Sequence, residues 1–166
     1  MGSATITDTA VIPVAKPMLG EAEAAAASRA ILSGWVTQGR EVAAFEREFA
    51  AFTGAPYACA VSNCTTALHL ALKAAGVRRG DEVITTSHSF IATANAIRYC
   101  DAIPVFVDID PATFNMDPAP LWRAVTPRTK AILCVHQLGM PCDLGRIIEV
   151  ARAHKLRVIE DAACAI

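Results

Sequence analysis

The chain has 166 residues, 54% of them hydrophobic and 19% charged, with a formal net charge of −1. So much apolar side chain excludes a disordered segment, and the near-neutral balance excludes an electrostatic binder of nucleic acid or of an anionic membrane. The apolar runs are short and broken by charge, which excludes a membrane span, and Met1 to Pro17 lacks the basic start and apolar stretch of a secretory signal, so a cytoplasmic protein is expected.

In chain order, Glu21 to Leu32 is Ala-rich and predicts a helix ended by Gly34. Arg40 to Thr53 carries Val42, Phe45, Phe49 and Phe52 on one helical face, and Gly54-Ala55-Pro56 stops it. Five short apolar strands are then expected: Tyr57 to Val61, Glu82 to Thr85, Ile103 to Val107, Ala131 to Val135 and Leu156 to Ile159. Helices over Thr65 to Ala75, Ile91 to Tyr99, Pro118 to Val125 and Asp143 to His154 separate them. Asp143 is a natural N-cap for the last, with Leu144, Ile147, Ile148 and Ala151 as its buried face. Strands that alternate with helices and are apolar on both faces predict an α/β fold, a mostly parallel sheet with flanking helices.

Ligands of such sheets bind beyond the carboxyl ends of the strands. Polar residues gather there: Ser62 to Thr66, Thr86 to Phe90, Asp108 and Asp110, His136, and Asp161. The turn Ser62-Asn63-Cys64-Thr65-Thr66 opens a helix, where unpaired N–H groups and the positive end of the helix dipole suit a phosphate. Read with Phe90 and the terminal Val158-Ile159-Glu160-Asp161, it suggests a cofactor with a phosphate, a flat ring and a ring nitrogen in need of a carboxylate. Each residue also has a plainer reading. Asp161 could cap a helix, Phe90 could be core, and His136 could be a packing or backbone-bonding histidine. His69 reads as structural, Asp108 and Asp110 as turn-shaping, and Trp35 as packing. The six cysteines, at 59, 64, 100, 134, 142 and 164, form no C-x-x-C pair and no zinc spacing. They read as reduced thiols, with Cys59 and Cys134 inside apolar runs, and no metal is expected. The turn after the first strand lacks G-x-G-x-x-G, which argues against a dinucleotide fold.

From about Ile12 to its end the chain resembles the DegT/DnrJ/EryC1/StrS aminotransferases. The resemblance rests on Gly34-Trp35-Val36-Thr37-Gln38-Gly39, Phe45-Glu46-x-x-Phe49-Ala50, Ser62 to Leu72 and Gly80-Asp81-Glu82-Val83-Ile84. It continues through Phe90 to Ile97, Val135-His136-x-x-Gly139 and Ile159-Glu160-Asp161-Ala162-Ala163. It implies a pyridoxal 5′-phosphate enzyme of fold type I (aspartate aminotransferase-like) that moves an amino group, from glutamate, to a nucleotide-linked keto sugar. It implies that Thr65 and Thr66 hold the phosphate, that Phe90 stacks on the pyridine and that Asp161 pairs with its nitrogen, where a carboxylate keeps the electron sink protonated. Trp35, Thr37 and His136 would stand near the substrate. Cys64 departs from the family's usual Gly, though its N–H still suits the phosphate loop. Cys164 departs from the usual Gln or His beside the ring, and a thiol is a weak hydrogen-bonding group.

The resemblance also implies a homodimer. It makes residues 1–166 the N-terminal part of the cofactor-binding large domain, with 1–20 as an arm and the remaining sheet and a small C-terminal domain absent. The lysine that carries the cofactor covalently would lie beyond Ile166, so none of Lys16, Lys73, Lys130 and Lys155 is expected to be catalytic, and the isolated chain is expected to be inactive. Two other readings stay open at this point. One is a sugar dehydratase of the same superfamily, with His for that lysine; the other is a non-catalytic remnant or interaction module.

Overall fold

A computed structural model of the chain describes residue 13 and residues 16–165. The arm expected over 1–20 therefore lies outside the described residues except at 13 and 16–20. The chain divides into two compact units, the first ending at Ala58 and the second beginning at Cys59.

The first unit holds two helices, α1 (Glu21–Leu32) and α2 (Arg40–Thr53). At the start of α1 the Glu23 carboxylate accepts the Gly20 N–H at 2.7 Å, which pairs one of the N–H groups that precede a helix's own ladder. Gly54 ends α2 at φ 71°, a left-handed conformation in which a Cβ would be strained. Phe45 and Phe49 stack with ring centroids 5.5 Å apart. The expected apolar face is real, but Phe45, Phe49 and Phe52 are exposed and only Ala50 of this helix is buried.

The second unit is a four-stranded parallel sheet in the order β2-β1-β3-β4. Its strands are β1 (Glu82–Thr86), β2 (Ile103–Val107), β3 (Thr129–Val135) and β4 (Arg157–Asp161). Helices α3 (Cys64–Ala74) and α4 (Ile91–Tyr99) cover one face; α5 (Leu121–Ala124) and α6 (Leu144–His154) cover the other. Successive side chains of a strand point to opposite faces, so β1 gives Val83 to the α3/α4 core and Ile84 to the α5/α6 core. Likewise β3 sends Leu133 one way and Ile132 and Cys134 the other. This two-sided burial is why the strands read as continuous apolar runs.

Three expectations change. Tyr57 to Val61 is not a strand: it joins no ladder among the described residues. Apolar composition marks a segment that suits a sheet, but pairing is set by residues distant in sequence. Cys59, in the same run, is exposed rather than buried. The helix expected over Pro118 to Val125 shrinks to Leu121–Ala124, because the Asp117 carboxylate takes the Ala119 N–H at 2.8 Å and diverts the chain into a side-chain-mediated turn. Asp143 does cap α6, accepting the Arg146 N–H at 3.1 Å, with Ile147, Val150 and Ala151 buried beneath it. Among the described residues no helix is long and apolar enough to cross a membrane.

Candidate cofactor site

Asp161 is the last residue of β4 and is 5% exposed. Ile159 packs on the α3/α4 core, and alternation along the strand sends Asp161 to that same face. There its Oδ2 accepts the Thr93 hydroxyl at 2.8 Å. Its Oδ1 accepts the Ala163 N–H at 3.3 Å and the Cys64 thiol at 3.7 Å. Cys64 opens α3 and Thr93 lies in the first turn of α4, so two positive helix ends face the carboxylate. Every donor is neutral, and among the described residues Asp161 has no ion pair. A buried carboxylate so placed has lone pairs and charge left for a cationic N–H. Desolvation of the Cys64 sulfur, then the charge of Asp161, push its thiol pKa up, so it stays an S–H donor.

The start of α3 is built by Asn63. Its side chain accepts the Thr66 N–H at 2.9 Å and the Thr66 hydroxyl at 3.1 Å. The helix's own ladder begins with the Ala67 N–H on the Asn63 carbonyl at 3.1 Å. The N–H groups of Cys64 and Thr65 stand outside both sets and point from a helix N-terminus, the arrangement that takes a phosphate. The Thr66 hydroxyl is engaged by Asn63 and lies 3.2 Å from Ser62 Oγ, so of the two threonines Thr65 has the side chain with no such partner among the described residues.

Phe90 precedes α4 and is 77% exposed. It is thus an apolar ring kept in solvent one helical turn before the residue that holds Asp161. Cys164 is also exposed, on the turn closed by the Ala165 N–H on the Ala162 carbonyl at 3.0 Å. That turn abuts Gly139, where a Cβ would come within 3.1 Å of the Cys164 carbonyl and φ is +86°; only glycine satisfies both. An anion-binding helix start, an exposed aromatic ring and a cation-seeking carboxylate on one face fit a pyridoxal phosphate.

The other expected residues are placed differently. His136 is buried, its Nδ1 accepting the Cys142 N–H at 3.0 Å and its Nε2 lying 2.9 Å from Glu160. That fixes the proton on Nε2. Glu160 alternates with Asp161, so the imidazole is on the opposite face of the sheet from the carboxylate and ties β4 to the 136–142 loop. Asn115, which sequence reasoning passed over, pins that same loop: it accepts the Gln137 N–H at 2.9 Å and donates to the carbonyls of Met140 and Pro141 at 2.9 and 3.0 Å. Asp110 takes the N–H groups of Ala112 and Thr113 at 2.7 and 3.2 Å and shapes its turn. In the first unit, the Trp35 indole donates to the Gln38 carbonyl at 2.7 Å and its ring lies against Gly39, where a Cβ would be 2.4 Å from it. Trp35, Thr37 and Arg40 line a cavity of about 820 Å³ in that unit. Among the described residues no cluster of His, Cys, Asp or Glu has the makings of a metal site.

Thr93 was missed as well. Its signal was its place three residues after Phe90, one turn on along the same helix start.

Fold and site together define an α/β protein of the kind that holds pyridoxal phosphate at the carboxyl edge of a parallel sheet. The chain belongs to the DegT/DnrJ/EryC1/StrS aminotransferase family, whose sequence profile matches residues 17–166. It is 50% identical over 155 residues to the spore coat polysaccharide biosynthesis protein SpsC of Bacillus subtilis, covering 93% of this chain and 40% of SpsC. It is 49% identical over 162 residues to the GDP-perosamine synthase of Caulobacter vibrioides, covering 97% of this chain and 44% of that protein. The solved aminotransferase of Psychrobacter cryohalolentis superposes with a TM-score of 0.87 at 43% identity, covering 90% of this chain and 38% of that one. The family's enzymes depend on pyridoxal phosphate, and solved relatives carry it as the aldehyde or the amine form. The chain thus spans less than half the length of the curated relatives it matches.

Proposed function

We propose that the protein carrying this chain is a pyridoxal-phosphate sugar aminotransferase that moves an amino group from glutamate to a nucleotide-linked keto sugar. The observation that carries this is the buried, cation-free Asp161 beside the N-terminus of α3. When bound, the cofactor would supply an electron sink for the electron pair that the Cα proton leaves behind. The chain's own residues bind and orient. The N–H groups of Cys64 and Thr65, with the Thr65 hydroxyl, hold the phosphate; Phe90 lies on the ring; Asp161 keeps a proton on the ring nitrogen. The sugar-nucleotide acceptor is supported by the likeness to GDP-perosamine synthase. Trp35 and Thr37, on the wall of the first unit's cavity, are its candidate contacts.

The anchoring lysine comes from residues outside this chain. Lys73 is in the last turn of α3, Lys130 near the start of β3 and Lys155 in the turn before β4. The Lys130 side chain lies 3.7 Å from a Cβ built at Gly76, just past α3. All three therefore sit at the amino edge of the sheet, away from Asp161. The reading also has residues 1–166 as part of one cofactor-binding large domain and the protein as a cytoplasmic homodimer. The exposed Phe45, Phe49 and Phe52 are the kind of surface that a second subunit covers, and six free thiols suit a reducing compartment.

The test is to give the purified full-length protein pyridoxal phosphate and glutamate and to follow formation of the amine form by absorbance, then to add a GDP-linked 4-keto sugar. Glutamate-dependent conversion that Asp161→Ala abolishes supports the reading. Turnover that Asp161→Ala leaves intact refutes it.

A further inference from the structure

We infer that Thr93, oriented by Ser89, is a positioning residue that aims the Asp161 carboxylate at the nitrogen of the cofactor's ring. The inference rests on the reading of Asp161 given above and adds to it a named control group. An ionised carboxylate only accepts hydrogen bonds, so the single hydroxyl proton of Thr93 is committed to Asp161 Oδ2 over the 2.8 Å contact. The Ser89 and Thr93 hydroxyls lie 2.7 Å apart, and with the Thr93 proton committed Ser89 must be the donor. A directed chain therefore runs Ser89 to Thr93 to Asp161. Thr93 is 1% exposed, so water does not replace its bond. Ser89 adjoins Phe90, so the residues that hold the carboxylate and the exposed ring share one short segment, 89–93. Loss of the Thr93 hydroxyl leaves Oδ2 unpaired and the carboxylate free to turn about its bond to Cβ, held only through Oδ1.

The experiment measures binding of pyridoxamine phosphate, and of the analogue with carbon in place of the ring nitrogen, to the full-length apoprotein by fluorescence quenching. Thr93→Val should weaken binding of pyridoxamine phosphate roughly tenfold, the loss of one hydrogen bond to a charged group, and leave the analogue unchanged. Thr93→Ser should restore the affinity. Ser89→Ala, which keeps the buried packing, should give a two- to threefold loss with the same selectivity and decides the matter if Thr93→Val fails to fold. Equal weakening of both ligands, or no weakening, overturns the inference. Asp161→Asn separates the two readings. If it retains the preference for the nitrogen-bearing ligand, the assignment of Asp161 falls. If it loses that preference while the Thr93 and Ser89 variants keep it, only the role of Thr93 falls.

Discussion

At the scale of single residues, what matters is how each buried polar group is paired. Glu82 begins β1 with its carboxyl buried, and the Thr126 hydroxyl and the Arg128 guanidinium hold its pKa below the usual carboxylate value. A lowered folded-state pKa contributes stability above the unfolded value and loses it as pH falls through the folded one. Arg128→Ala should therefore cost about 1 kcal/mol at pH 7, modest because Arg128 is itself 67% exposed. The cost should shrink below roughly pH 4.5, where an unperturbed glutamate carboxyl titrates; urea melts at pH 7 and pH 4 give the comparison. Thr85 is the opposite case: fully buried in β1, its Oγ1 has no hydrogen-bond partner among the described residues. Replacing an unpaired buried hydroxyl by a methyl group removes a desolvation cost. Thr85→Val should stabilise by about 1 kcal/mol in the same assay.

At the scale of elements, two helices share one starting device and differ in what lies beyond it. Asn63 caps α3 and Asp143 caps α6, each accepting the N–H three residues on. Alanine at either position should lower stability by about 1 kcal/mol. Only Asn63→Ala should also weaken binding of pyridoxamine phosphate, because only α3 starts at the site. Equal binding by both variants would show that α3's start does not hold the phosphate. The Asp143 cap was legible in the sequence, since Asp before an apolar-periodic run has a local cause; Asn63 was read there only as part of the turn that opens α3, and its capping role came from the structure. The strand expected over Tyr57 to Val61 was not settled by such a cause. Its composition states that it suits a sheet, while the ladder depends on residues distant in sequence. α5 differs: its four residues are what a local cause, the Asp117 side-chain turn and its neighbouring prolines, leaves.

At the scale of the whole molecule, the parallel sheet sorts the candidate cofactor-binding residues and the lysines to opposite ends. Thr65, Phe90 and Asp161 come to the carboxyl edge; Lys73, Lys130 and Lys155 go to the amino edge. Borohydride reduction of the cofactor-loaded full-length protein, followed by peptide mapping, should place the label outside residues 1–166. A label on Lys73, Lys130 or Lys155 would contradict this placement.

The sequence by itself determined the alternation of strands and helices, the parallel sheet, the turn that opens α3 and the place of Asp161 at a strand end; the role given to Asp161 came from the family resemblance. These rest on periodicity, capping and strand-end position, all properties of neighbouring residues. Only the tertiary structure decided that His136 faces away from Asp161 and that Thr93 faces toward it. Facing is set by the register of β3 on β4 and by the packing of α4 on the sheet. Such contacts join residues 24 and 68 positions apart, a separation that no local pattern reports.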